Sequence, residues 1–271
     1  MHRDLGVIDG ALLLFGGPYS NLQAMQAVME IARDLGISGR NMICTGDVVA
    51  YAGDPAPTVA LVRESGATVV AGNCEKQLAQ GALDCGCGFE EGSACDLLSA
   101  GWYSVASAQI GPADRAWMAG CPDLVSFRHQ GARYAVIHGG VSDIARFIWP
   151  STARTVFEQE WALIEERIGP VDHVIAGHSG LPFIRQLGAG RWINPGVIGM
   201  PPHDGAQQTR YGVLDGGEVL IHRLSYDVEA AHAAMLRAGL NQGYHTALRS
   251  GYWPSEEVLP AELRASSLAR G

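Results

Sequence analysis

Residues 11–25 read ALLLFGGPYSNLQAM. Five apolar residues run into the loop Gly16-Gly17-Pro18-Tyr19-Ser20-Asn21, and an amphipathic stretch follows. Residues 21–35 place Leu22, Met25, Val28, Met29, Ala32 and Leu35 on one helical face. A strand that enters a helix through a Gly-rich loop is a frequent site of chemistry in α/β proteins. This loop nevertheless carries no Asp, Glu, His, Lys or Arg.

The same strand-then-helix rhythm continues outward from it. Strand-like runs occupy residues 11–15, 41–44, 68–70, 134–137, 173–176 and 191–193. Helical patterns cover residues 55–64, with Asp54 as cap ahead of Pro55, and 151–168, with Ser151 as cap. Residues 211–214 and 219–222 flank Asp215-Gly216-Gly217 and predict a β-hairpin, and residues 227–240 a helix. Alternation of this kind predicts an α/β fold. Residues 81–99, GALDCGCGFEEGSACDLLS, are the least regular and read as an insertion loop. With no linker and no internal repeat, residues 1–271 read as one domain, with a peripheral C-terminal arm from about residue 241 to 271.

The totals bound the function. The 271 residues are 47% hydrophobic and 17% charged, with a formal net charge of -9. That balance argues against a nucleic-acid backbone as partner, because such binding needs clustered Lys and Arg. Six cysteines stand at 44, 74, 85, 87, 95 and 121, and Cys85-Gly-Cys87 lacks a second pair to complete a zinc site. A chain this large does not need disulfide staples, so a reduced, cytoplasmic setting is expected. The N-terminal residues 1–17 read as a first core strand, not a leader, and no apolar run approaches membrane-spanning length. Oligomerisation is left open.

Four strand ends carry a coordinating side chain next to glycine: Gly46-Asp47, Gly72-Asn73, His138-Gly139 and Gly177-His178. In open α/β sheets, sites form at the carboxyl ends of strands, and glycine lets backbones crowd around a small object. One carboxylate, one amide oxygen and two imidazoles suit Mn²⁺, Fe²⁺ or Zn²⁺. Each residue alone also reads as a turn or core residue; the joint placement is what points to a shared metal site.

The segments GDVVAYAGDP (46–55), VVAGNCE (69–75), VIHGG (136–140), AGHSGLPF (176–183) and INPGVIG (193–199) occur in this order. With RYGVLDGGEVLIHRLSYDVEAA (210–231), the pattern resembles the calcineurin-like metallophosphoesterases, especially their compact bacterial phosphodiesterase and phosphatase branch. The resemblance spans roughly residues 11–240 and implies a four-layer α/β/β/α sandwich of two mixed sheets flanked by helices. It implies metal-dependent hydrolysis of a small phosphomonoester or phosphodiester by activated water, on two metals at one end of the sheets.

Matched residue by residue, the resemblance is uneven. The family's opening Asp-x-His motif falls on Gly17 and Tyr19, its second His-x-His position on Gly180, and its phosphate-assisting His on Cys74. By the same match the second metal keeps all its ligands, as Asp47, Asn73, His138 and His178, while the first keeps only the bridging Asp47. The expectation is therefore one divalent ion, not two. Cys74 reads as a weak donor or thiolate, or as a small buried residue, and Tyr19 as a phenolate or phosphate donor, or as packing. Arg146 and Arg154 are candidates for holding substrate phosphate, or solvated charges; His203, in PPHDG, is a candidate pocket residue, or an exposed loop residue. Two functional readings follow: a phosphoesterase with a reduced site, or an inactive relative that binds a metal or a phosphate-bearing ligand.

Overall fold

The computed structural model describes residues 1–265. In chain order it forms β1 (His2–Val7), β2 (Leu12–Phe15), α1 (Leu22–Asp34), β3 (Met42–Cys44), α2 (Pro55–Ser65), β4 (Thr68–Val69), α3 (Asn73–Gln80), α4 (Ala94–Gln109) and α5 (Pro112–Ala119). It continues with β5 (Leu124–His129), β6 (Ala132–Val136), α6 (Arg154–Ile168), β7 (His173–Ile175), β8 (Phe183–Leu187) and β9 (Gly190–Asn194). The hairpin β10 (Thr209–Asp215) and β11 (Glu218–Leu224) precedes α7 (Val228–Arg237) and α8 (Tyr244–Ser250).

These strands build two mixed sheets, ordered β1-β5-β6-β7-β9-β8 and β11-β10-β2-β3-β4. β2, β3 and β4 run parallel in one sheet, and β6, β7 and β9 run parallel in the other. Alternation along the strands explains the layering. Leu12 and Leu14 of β2 meet Val125 and Phe127 of β5, Tyr134 and Val136 of β6, and Ile175 of β7 between the sheets. Leu13 and Phe15 face the other way, into a cluster with Met25 and Val28 of α1, Val59 and Val62 of α2, and Trp102 of α4. On the far side, Ala135, Val174 and Trp192 receive Phe157 and Ile164 of α6. The result is the expected four-layer α/β/β/α sandwich, and the inner strands are apolar on both faces because both faces are covered.

Several local expectations are corrected. The N-terminal stretch is not one core strand: residues 2–7 form a mostly exposed strand that pairs with β5 in one sheet, and Leu12–Phe15 is a buried strand of the other. Helix α6 begins at Arg154 behind Ala153, three residues after the expected Ser151 cap. The irregular segment ends at Ser93, whose side chain caps α4 by accepting from Asp96 N–H at 3.2 Å. The expected loop through residue 99 therefore runs into a helix. Cys85 and Cys87 are joined as a disulfide, against the expected free thiols, whereas Cys44, Cys74, Cys95 and Cys121 are free and buried. The C-terminal arm is not peripheral: Leu259 is buried, and Trp253 packs against the main helix-side cluster. Its last residues, 266–271, lie outside the described residues. No described helix is long and apolar enough to cross a membrane.

Phe127 stacks on Tyr134 with ring centroids 4.9 Å apart, fully buried between the sheets. Phe127→Ala is expected to cost about 3–5 kcal/mol, read as a lowered urea midpoint with an unchanged slope.

Candidate metal centre

The four expected strand-end residues do converge. β3, β4, β6 and β7 each end in a loop that carries one of them: Asp47, Asn73 at the start of α3, His138 and His178. His138 Nε2 lies 3.0 Å from His178 Nδ1, 3.1 Å from Asn73 Oδ1 and 3.2 Å from Asp47 Oδ2. His178 Nδ1 is 4.0 Å from Asp47 Oδ2. All four residues are buried.

The hydrogen-bond surroundings decide what this cluster can accept. His138 Nδ1 donates to the Thr45 carbonyl at 2.6 Å, which turns the Nε2 lone pair inward. Asn73 Nδ2 donates to the Cys85 carbonyl at 2.9 Å, which aims its Oδ1 at the others. Two imidazole nitrogens, an amide oxygen and a carboxylate oxygen thus meet around His138 Nε2, and a cation among them would satisfy all four. Donors bound to one ion at about 2.0–2.1 Å stand about 3.0–3.4 Å from their neighbours, close to the spacing seen. Asp47, His138 and His178 together meet the geometric requirement for a metal-binding group. The donor set fits a divalent transition ion.

Charge states follow the same logic. Burial raises the Asp47 pKa, but the facing His138 outweighs it and the net shift is downward. Burial disfavours the His138 imidazolium, but Asp47 more than compensates and its pKa rises. His178, buried and beside His138, is pushed down to about 3 and stays neutral.

The loops are held in tight conformations. Asp47 and His178 have φ of 53° and 59°, in the left-handed region, where non-glycine residues carry strain. A Cβ on Gly72 would sit 2.2 Å from Asp47 Oδ1, so only glycine fits there. Glu75, which sequence reasoning did not single out, ties the loops together. Its carboxylate accepts Asp47 N–H at 2.8 Å, Val48 N–H at 2.9 Å and Gly72 N–H at 2.9 Å. Burial and the Asp47 charge push its pKa up to about 7. The signal was present in the sequence as half of a capping box, a Glu at 75 placed three residues after Gly72 to accept its N–H.

The opening loop serves this scaffold with its backbone. Gly17, Tyr19 and Ser20 N–H donate to the carbonyls of Gly46, Asp47 and Val48 at 3.1, 3.2 and 2.9 Å. Asn21 Oδ1 caps α1 through Ala24 N–H at 3.0 Å, and its Nδ2 reaches the Gly199 carbonyl at 3.1 Å. The Tyr19 ring lies beneath Gly17: a Cβ there would meet Tyr19 Cζ at 2.5 Å and Val197 at 2.8 Å. Trp253 stands 3.5 Å from the Cβ position of Gly180, whose φ is 75°.

Other candidates are placed elsewhere. Cys74 donates its backbone N–H to Asp47 Oδ1 at 3.3 Å, and burial, followed by the Asp47 charge, pushes its thiol pKa well up, which favours the neutral thiol. Tyr19 is likewise held well above the ordinary phenol value by burial, so it is not a phenolate. Arg146 is committed to the buried Glu160 carboxylate at 2.8 Å. Arg154 is exposed and pairs with Glu158 one turn along α6 at 2.7 Å. Neither arginine is a free phosphate ligand. His203 is buried, neither exposed nor facing the donors. Its Nδ1 accepts Trp253 N–H at 2.8 Å and its Nε2 meets Glu256 Oε1 at 2.6 Å, which anchors the C-terminal arm.

No protein-family model matches the chain. An uncharacterized protein of Methanocaldococcus jannaschii is 24% identical over 251 residues, covering 85% of this chain and 94% of its own length. A metallophosphoesterase from Sphaerobacter thermophilus superposes with a TM-score of 0.69 at 19% identity, over 90% of this chain and 100% of its own. A hypothetical protein from Pyrococcus horikoshii OT3 gives 0.71 at 16% identity, over 90% and 98%.

Glu75→Ala leaves three buried N–H groups without an acceptor and is expected to cost on the order of 3 kcal/mol or more. The measurement is the urea midpoint of the variant against the parent.

Proposed function

We propose, from the metallophosphoesterase fold that the chain carries, that this protein hydrolyses a small phosphate ester with one divalent metal ion. The carrying observation is the buried convergence of Asp47, Asn73, His138 and His178 on one point. These four residues would hold the ion. Bound there, it would supply Lewis acidity toward a phosphoryl oxygen and acidify water.

A single ion is supported by what fills the neighbouring space. Tyr19 and Val197 occupy the volume that a side chain at Gly17 would need, and Trp253 stands against Gly180. No side chain at positions 17, 19 or 180 is a good ligand for a second divalent ion.

The chain's own residues define the rest. Thr45 keeps the His138 proton on Nδ1, so Nε2 is free to bind. Glu75 fixes the Asp47 and Gly72 backbones, and hence the placement of Asp47 and Asn73. Position 74 offers a neutral buried thiol in place of an imidazole, so protonation of the leaving oxygen is weak, a loss of about 10²–10⁴-fold in rate. Esters of acidic alcohols such as phenols, which leave without that help, are therefore the favoured substrates. In this reading the chain works as one catalytic unit in the cytoplasm.

Metal-loaded protein should hydrolyse bis-p-nitrophenyl phosphate or p-nitrophenyl phosphate with Mn²⁺, Fe²⁺ or Zn²⁺, and Asp47→Ala should abolish turnover. Elemental analysis should count one ion per chain. Stoichiometric metal without turnover would establish the binding-protein reading instead, and absence of bound metal after reconstitution would refute both. Because a proton on His138 competes with the ion, metal affinity should fall about tenfold per pH unit below its raised pKa, measured by titration calorimetry.

A further inference from the structure

Asn73, one of the four converging residues, is held from behind by a cysteine loop. Its Nδ2 donates to the Cys85 carbonyl at 2.9 Å and lies 3.4 Å from Cys87 Sγ and 3.5 Å from Cys74 Sγ. Cys85 and Cys87 are joined across the single residue Gly86. Both are buried, while Leu83, Asp84, Gly88 and Glu90 around them are exposed. The bridge is thus the inward anchor of an otherwise exposed loop. The same loop also reaches the opposite side of the centre. Phe89, two residues past Cys87, stacks on Phe147 at 6.0 Å, and Phe147 lies 4.3 Å from the His178 imidazole. Both rings and His178 border a cavity of about 40 Å³, room for about one water molecule. With so little free space, a shift of the loop is passed on to the residues it touches.

Such a bridge contributes little as a staple. A cross-link stabilises a fold largely by restricting the unfolded chain, and one that spans a single residue restricts it least. What the bridge fixes is local: the direction of the Cys85 carbonyl, and through it the amide of Asn73. With that amide N–H taken up by Cys85, Asn73 Oδ1 faces His138 Nε2 at 3.1 Å. Outer partners that orient a metal ligand in this way carry a factor of about 10–100 in metal affinity.

Resting on the metal site proposed above, we propose that the Cys85–Cys87 bridge is a redox clasp on that site. Oxidised, it keeps Asn73 Oδ1 among the ligands; reduced, it releases the loop, and the ion is held less tightly. The reductant is a dithiol. One thiolate of the dithiol attacks a bridge sulfur, and the other cysteine of the pair leaves as a thiolate. The second thiol of the dithiol then displaces the first cysteine from the mixed disulfide. Two electrons and two protons pass to Cys85 and Cys87, and the dithiol becomes a disulfide. Exchange with a disulfide of the same class reverses the step. In a compartment kept reducing by thiols, a bridge is made and broken as the thiol poise changes. The affinity of this site for its ion would then follow that poise.

The probe is Mn²⁺, which prefers oxygen and nitrogen ligands and is not captured by freed thiols. Full-length protein prepared without reductant should show four free thiols on unfolding, those of Cys44, Cys74, Cys95 and Cys121, and six after dithiothreitol. With the dithiothreitol removed under nitrogen, calorimetry should find Mn²⁺ bound about 10–100-fold more weakly by the reduced protein than by the oxidised one. The double variant Cys85→Ser, Cys87→Ser should match the reduced parent and ignore dithiothreitol. If that variant does not fold, the two redox states of the parent carry the test alone. The urea midpoint of the metal-free protein should be nearly the same in both states, which a structural staple would not allow. Six free thiols before reduction, or equal Mn²⁺ affinity in the two states, overturns the clasp even if the protein is an active metal-dependent esterase. Failure to bind Mn²⁺ in either state refutes the metal site and the clasp together. The expected redox dependence of binding without hydrolysis of any ester would leave the clasp standing and refute the catalytic reading.

Discussion

Everything at the head of the two sheets is organised around one electrostatic problem: two imidazole nitrogens, an amide oxygen and a carboxylate oxygen crowded into one buried space. His138 Nε2, His178 Nδ1, Asn73 Oδ1 and Asp47 Oδ2 are brought together by loops from both sheets. The Thr45 carbonyl and the Cys85 carbonyl take up the hydrogens that could have relieved the crowding. A fold does not hold such a cluster without support, and here the support is visible. Glu75 gathers backbone N–H groups from two loops, glycine at 72 permits the approach, and Asp47 and His178 are kept at positive φ. The strain and the unmatched acceptors are both consistent with a site whose stability is completed by a ligand.

Much of this was legible in the chain because it is local. A strand that is apolar on both faces, followed by glycine and a ligand-type residue, is a short pattern, and it picked out the four residues that converge here and the parallel strands that carry them. The layering was legible for the same reason: Leu12, Leu13, Leu14 and Phe15 are uniformly apolar, as a strand covered on both sides must be. Strands such as β1 and β8, which lack that signature, were not identified. Their residues are mostly exposed or half-buried, and their pairing is decided by β5 and β9.

What was illegible depends on contacts distant in sequence. Arg146 looked like a phosphate ligand until Glu160, fourteen residues on, proved to be its partner. His203 looked like a loop residue, yet it is the buried anchor for a segment fifty residues later. The C-terminal arm shows no periodicity that would mark it as part of a site, but Trp253 stands against Gly180 and Trp253, Ser255 and Val258 line the cavity. Glu75 was overlooked although its place three residues after Gly72, at the start of α3, was readable, because a carboxylate there is usually taken to serve only the helix.

The seat of the Tyr19 ring under Gly17 also limits what position 17 can hold. An aspartate cannot be introduced at position 17 while that ring is in place, since its Cβ would lie 2.5 Å from Tyr19 Cζ. A histidine at 19 would remove that ring, while glycine would still stand at 17 and 180. The aromatic packing thus couples the positions: a side chain can stand at 17 only after the residue at 19 has changed.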